Sequence, residues 1–272
     1  MMDSLSPSRH GAADAPEAPT HALLLSAGQG RRLLPLTEDR PKCSLSFHGR
    51  SVLEWQIDTL LEAGVDGVTV VTGYGAELVE ALLERRYGNA GVQTVFNPFY
   101  RVSDNLASCW IAREAIRGEL LLINGDTLFE GDIVRDVLAA PPAPVTLTVD
   151  FKDAYDDDDM KVSLHGDGRL RRVGKRLDPS EVDGESIGMT RFQGDGAALF
   201  REAVENAMRD PDALRLWYLS IIDAMADQGH VRAFPIAGRQ WAELDFPEDL
   251  EPVSEVLAAQ LPAASTGTAQ GG

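Results

Sequence analysis

The stretch that decides the fold is LLLSAGQGRRLLPLTEDRPKCSL, residues 23–45. Its first residues, with His21 and Ala22 ahead of them, form a short continuous apolar run. That is the pattern of a strand buried on both faces of a parallel sheet. The run ends at Ser26, and Gly28 and Gly30 follow, where the lack of side chains lets backbone amides come close to a ligand. Arg31, Arg32, Arg40 and Lys42 gather in the same loop. The whole chain of 272 residues is acidic, with 25 Lys plus Arg against 43 Asp plus Glu and a formal net charge of −18. A cluster of cations in so acidic a chain asks for a polyphosphate anion, while the overall field repels nucleic acid. The spacing lacks the third glycine of a dinucleotide site, and no G-K-[ST] of a P-loop is present.

Outward from this loop, strand and helix patterns alternate. SVLEWQIDTLLEAG (51–64) sets Leu53, Ile57, Leu60 and Leu61 on one helical face, with Ser51 and Glu54 as a capping box and Gly64 as the stop. A strand (67–74), a helix (75–88), a strand (92–98), a helix (104–116) and the strand ELLLING (119–125) follow. The rhythm implies an α/β fold: a mixed, mostly parallel sheet flanked by helices. Past Val145 the second half carries antiparallel additions. DMKVSLHGDGRLRRVGKR reads as a hairpin around Asp167 and Gly168, SIGMTRF as a strand, and HVRAFPI with QWAELDF as a second hairpin-like pair. Pro, Ala and Ser dominate residues 1–20 and 261–272, which are expected to be disordered tails around one domain spanning 21–260.

No apolar run approaches the ~18 residues that span a bilayer, and the N-terminus holds acids and prolines where a signal peptide needs apolar residues. The expected compartment is the cytoplasm, with no membrane partner. Cys43 and Cys109 match no metal or redox spacing and are expected as buried thiols.

The Gly loop resembles the signature of the sugar-1-phosphate and phosphocholine nucleotidyltransferase superfamily, A-G-x-G-x-R-x-x-P-x-T followed by P-K. Ala27, Gly28, Gly30, Arg32, Pro35, Thr37, Pro41 and Lys42 match it. The resemblance implies a Rossmann-like nucleotidyltransferase fold in which the loop wraps a nucleoside triphosphate. It implies that Arg32 neutralises the departing pyrophosphate and that Lys42 sits near the α-phosphate and the acceptor's phosphate. It also places a metal-binding aspartate at Asp126, after ELLLING, and at Asp245, after QWAEL. Mg²⁺ is the expected cofactor, since such ions are held by one or two carboxylates together with phosphate oxygens and waters.

Within the superfamily, NPFYRVSDNLASCW, DFKDAYDDDDMKV, RRVGKRL and GESIGM resemble the phosphocholine cytidylyltransferase branch. CTP is therefore the expected nucleotide, with Gly73, Tyr74, Asn105 and Ser108 shaping its base and ribose pocket; helix capping is the competing role for Asn105. Lys175 corresponds to a lysine on the acceptor's phosphate. Asp150, Tyr155, Trp217, Tyr218 and Glu243 are expected around the acceptor, a set that suits a substituted ammonium. The acidic run Asp156–Asp159 reads as a solvated loop. Phosphocholine, an aminophosphonate and a polyol or sugar phosphate stay open as acceptors, as does UTP or dTTP in a sugar-1-phosphate enzyme. A catalytically silent nucleotide-binding paralogue is the reading from outside enzymology.

Overall fold

The structure, a computed structural model, describes residues 19–88 and 90–261. The expected tails otherwise fall outside the described residues, although Thr20 already belongs to the first strand. That strand, β1 (Thr20–Leu25), leads through the Gly loop to the short pair β2 (Ser46–Phe47) and β3 (Arg50–Ser51), then to α1 (Val52–Glu62). The alternation continues with β4 (Gly67–Thr72), α2 (Ala76–Tyr87), β5 (Val92–Phe96), α3 (Asn105–Ile111) and β6 (Glu119–Asn124). Next come β7 (Thr127–Phe129), α4 (Gly131–Leu138), β8 (Val145–Asp150), the hairpin β9 (Lys161–Leu164) and β10 (Leu170–Gly174), and the long β11 (Gly184–Phe192). The chain closes with α5 (Gly196–Ala207), α6 (Leu219–Asp227), β12 (Val231–Pro235), β13 (Trp241–Glu243) and α7 (Leu250–Ala258).

Nine strands form one sheet, ordered β10-β9-β11-β6-β1-β4-β5, with β8 on β11 and β12 on β8. The four strands β6-β1-β4-β5 are parallel, and antiparallel pairing begins where β11 meets β6. Side-chain alternation splits the core between the two faces of the sheet. Leu23, Leu120 and Leu122 pack with α3, α5 and α6 on one face. Ala22, Leu24, Leu121 and Ile123 pack with α1, α2 and α4 on the other. The capping box of α1 forms as its sequence predicts, with Ser51 and Glu54 each satisfying the other's backbone N–H.

The second expected hairpin does not form. HVRAFPI supplies β12, which runs parallel to β8, whereas QWAEL supplies β13, which pairs antiparallel with β7 in a separate two-stranded sheet. Five residues separate the two strands, yet each finds its partner elsewhere. This rerouting carries Asp245 from the rim of the main sheet to the turn that bears Asp126.

Gln56, buried on α1, braces that turn. Its Nε2 donates to the backbone oxygens of Asn124 and Thr127, both at 2.8 Å, gripping the chain on either side of Asp126. Gln56→Leu keeps the volume and strips both carbonyls of this donor. The expected loss is about 2–4 kcal/mol, read as a lower urea midpoint at unchanged m-value; an unmoved midpoint would show that the turn holds without this brace.

Candidate active site

Asp126 and Asp245 lie far apart in sequence and meet because β7 and β13 pair. The register sets Glu243 opposite Thr127, and one step further the N–H of Leu244 donates to the Asp126 carbonyl at 3.1 Å. Asp249 fixes the other side of this loop, its carboxylate accepting the N–H of Asp245 at 2.8 Å and of Phe246 at 2.7 Å. Both metal-binding candidates then converge on one cation. Lys42 Nζ donates to Asp126 Oδ2 and to Asp245 Oδ1, each at 2.6 Å.

The charge alternation runs on from there. The second oxygen of Asp245 accepts from Arg32 Nη2 at 2.8 Å. Arg32 Nη1 donates to Asp158, whose other oxygen takes the Lys175 ammonium. Lys175 in turn lies 5.0 Å from the centre of the Trp217 ring, and Arg32 lies 4.6 Å above the Phe246 ring. This chain of opposite charges lines a cleft of about 430 Å³ at the carboxyl ends of β1 and β6, the place where open α/β sheets bind ligands.

The Gly loop forms the cleft's upper wall. Gly30 takes a left-handed conformation, φ +78°, and a Cβ on it would stand 2.7 Å from the Lys42 Cβ, so a glycine is needed for the lysine to pack against the loop. The loop is held from within. Lys42 N donates to the Gln29 carbonyl at 3.1 Å, and the buried Thr37 hydroxyl donates to the Gly30 carbonyl at 2.8 Å. The lower wall depends on a second glycine: Gly188, φ +73°, sits at a register shift in β11, where a Cβ would meet the Asn124 amide at 2.6 Å.

Burial alone lowers the Lys42 ammonium, but Asp126 and Asp245 more than reverse this and hold it well above the ordinary lysine range. Burial pushes Glu243 up to about 8, with the Asp126 and Asp245 charges adding to it. Burial likewise lifts Glu185, on the cleft floor, to about 7 against the pull of Lys152. Asp104, beside Trp217, is raised by burial and lowered in part by its hydrogen bond to Trp217.

Of the residues singled out from the sequence, Ala27, Gly28, Gly30, Arg32 and Lys42 line the upper cleft. Asn105, Ser108 and Trp217 line one side, and Asp126, Lys175, Glu243 and Asp245 the floor and the other side. Asn105 Oδ1 accepts the N–H of Tyr218 at 2.8 Å, and the Ser108 hydroxyl accepts from Asn97 at 3.1 Å. Asp104, not Asn105, is the residue at the cap position of α3.

Five candidates stand off the cleft. Gly73 packs behind Ala27, and Tyr74 donates its N–H to the Ala27 carbonyl at 3.0 Å and its hydroxyl to the Glu38 carbonyl, so both support the loop from outside. Asp150 accepts the Trp241 indole N–H at 2.8 Å, and the Tyr155 hydroxyl donates to the Asp183 carbonyl at 3.2 Å. Tyr218 is fully buried, its ring edge-on to Phe200 in the core. Its neighbour Trp217, half-exposed, takes the cleft-facing position because adjacent residues at the entry to α6 point in different directions. Conversely, Asp158, read as part of a solvated loop, faces the cleft, and so do Asp104 and Glu185. A lysine–arginine pair needing a counter-charge was the available hint for Asp158; nothing local in the sequence marks Glu185.

Comparison with known proteins bears on the fold. Residues 22–156 match the MobA-like NTP transferase domain. The chain is 30% identical over 246 residues to CMP-5'-(3-aminopropyl)phosphonate synthase of Streptomyces rubellomurinus, covering 85% of this chain but 38% of that protein. It is 25% identical over 233 residues to 2-aminoethylphosphonate cytidylyltransferase of Lancefieldella rimae, covering 85% of this chain and 90% of the relative. The fold superposes on CTP:phosphocholine cytidylyltransferase from Streptococcus pneumoniae with a TM-score of 0.72 at 21% identity, over 88% of this chain and 100% of the other.

Cys43 also borders the cleft, yet its thiol is buried and burial pushes it up to about 12; Cys109, wholly buried, is raised in the same way. Since the thiolate is the reactive form, both should resist a thiol-specific disulfide reagent at pH 8 in the native protein and react together on unfolding. Rapid native labelling of Cys43 would contradict the burial of the lysine segment beside it.

Proposed function

We propose that this chain is a cytidylyltransferase that transfers CMP from CTP to a small acceptor bearing a phosphate or phosphonate. An oxygen of the acceptor attacks the α-phosphorus, forming one P–O bond, as the bond to the bridging oxygen breaks and pyrophosphate leaves. The observation that carries the reading is the meeting of Lys42, Asp126 and Asp245 beneath a glycine loop that also holds Arg32. Transfer of this kind needs two anions aligned and charge stabilised, with little covalent help from protein groups.

The carboxylates suit a magnesium ion. Asp126 Oδ1 is buried without a hydrogen-bond partner, and its other oxygen already shares a cation with Asp245. A magnesium ion keeps waters and phosphate oxygens in its sphere and needs only one or two carboxylates from the protein. Held by Asp126 and Asp245, Mg²⁺ would neutralise charge developing on the phosphates. The protein's own groups do the rest. Lys42 exchanges a carboxylate for the reacting phosphate, Arg32 meets the leaving pyrophosphate, and Asn105 and Ser108 offer polar groups to the pyrimidine.

For the acceptor, Lys175 takes the phosphate or phosphonate. Trp217 and Glu243, with Asp104 and Glu185 newly at hand, take a cationic far end. An ammonium at the far end would favour the charged forms of these three carboxylic groups, which burial otherwise disfavours, and would gain from the Trp217 face. The relatives named for aminophosphonates support the same class.

Asp126→Asn and Asp245→Asn should each lower Mg²⁺-dependent turnover at least ~10²-fold, with the thermal midpoint retained. Lys42→Ala should lower kcat far more than it raises the KM for CTP, because the cation acts where charge develops. Near-normal turnover in the aspartate variants, or a pure KM effect at Lys42, rejects these roles.

Acceptor choice is read by pyrophosphate release from CTP, UTP or dTTP with phosphocholine, aminoethylphosphonate, inositol phosphate or glucose-1-phosphate. The expected best pair is CTP with an amine-bearing acceptor. Trp217→Ala should weaken that acceptor roughly thirtyfold, the worth of a desolvated cation–π contact of about 2 kcal/mol, and leave CTP binding intact. A neutral-headed acceptor turned over fastest would return Trp217 and Glu243 to structural roles.

A further inference from the structure

The loop between β8 and β9, residues 151–160, holds four consecutive aspartates, Asp156–Asp159. Four contacts lace this loop down. The largely buried Lys161 ammonium donates to the Asp156 carbonyl; Asp159 accepts the Asp156 N–H at 2.7 Å and pairs with Lys152 at 3.0 Å; and the Tyr155 hydroxyl accepts from Lys152 N at 3.1 Å. Asp158 is used in none of these ties. Its carboxylate reaches into the cleft and splits its two oxygens between Arg32 and Lys175.

Resting on the transferase reading above, we propose that Asp158 is a built-in occupant of an anion seat between Arg32 and Lys175, displaced when a substrate phosphate enters. The seat does not depend on Asp158 for its shape. Arg32 stays anchored by Asp245 at 2.8 Å and by the Phe246 ring, and Lys175 by the Trp217 ring. A phosphate bridging the same two donors would find them already in place. Because the loop backbone is laced, release needs only rotation of one half-exposed side chain. The consequence is selectivity: a tethered carboxylate competes with weak anions such as inorganic phosphate, while a substrate with several anchoring groups displaces it. The same carboxylate can reoccupy the seat as product leaves.

Titration calorimetry with inorganic pyrophosphate tests this without turnover. Asp158→Asn should bind pyrophosphate roughly three- to tenfold more tightly than the wild type, the worth of one or two exposed ion pairs. Asp157→Asn, an exposed neighbour that does not line the cleft, should bind like the wild type. Arg32→Ala should lose the gain when combined with Asp158→Asn. Unchanged or weaker binding in Asp158→Asn, with its thermal midpoint retained, overturns the proposal while leaving the transferase reading intact. Tighter binding in a protein that turns over no triphosphate with any acceptor supports the seat and rejects the transferase reading. If neither wild type nor variant binds pyrophosphate, the seat itself is refuted.

Discussion

Everything in the cleft depends on one ammonium group held between two carboxylates. Lys42 is largely buried, its side chain 13% exposed, and a cation so placed is unfavourable unless it is paired. Asp126 and Asp245 would repel one another at this separation if no positive charge lay between them. Lys42 is therefore held in its charged form by the two carboxylates, and its charge is what lets them share one site. The arrangement ties the Gly loop, the β6–β7 turn and the end of β13 at one point, and a small change in any of the three segments is felt by the others.

The rest of the site extends that logic outward. Acid and base alternate from Asp126 to Lys175, so the cleft of a strongly acidic protein keeps three cations without leaving them unpaired. Such pairs are worth little as stabilisation where they meet solvent. On the proposed function, their value would lie in poise: each cation is oriented before an anion arrives, and only the partner would need exchanging. Preorganised charge of this kind acts on a transition state without the reorganisation that water would require.

Much of this was legible in the sequence, for identifiable reasons. The parallel half announces itself because buried strands such as LLL and ELLLI are continuous apolar runs, and because α1 carries its own start signal at Ser51 and Glu54. The Gly loop was legible because a close backbone approach demands glycine at fixed spacing, as Gly30 against Lys42 shows. The aromatic and acidic residues expected around the acceptor were legible in type and not in direction. Trp217 and Tyr218 are adjacent, one facing the cleft and the other wholly in the core. Only the packing of α6 on the sheet decides which, and no local pattern encodes it. Asp158 was hidden for a related reason, since within a run of four aspartates nothing distinguishes the one with two cationic partners.

The pairing of β13 with β7 explains why the least legible element matters most. Each strand has three residues, too few to show a period, and proximity in sequence favours a hairpin between β12 and β13 instead. Buried side chains settle the contest: Leu244 packs with Leu128, Leu33 and Trp55 beneath the Gly loop, joined by Val253 and Leu257 from α7. A hairpin with β12 would leave that cluster open and carry Asp245 away from Lys42. The apolar cluster and the charged site are thus two sides of one short strand pair. Leu244 fills the first and Asp245, the next residue, completes the second, so the hydrophobic contact selects the register and the register delivers the carboxylate.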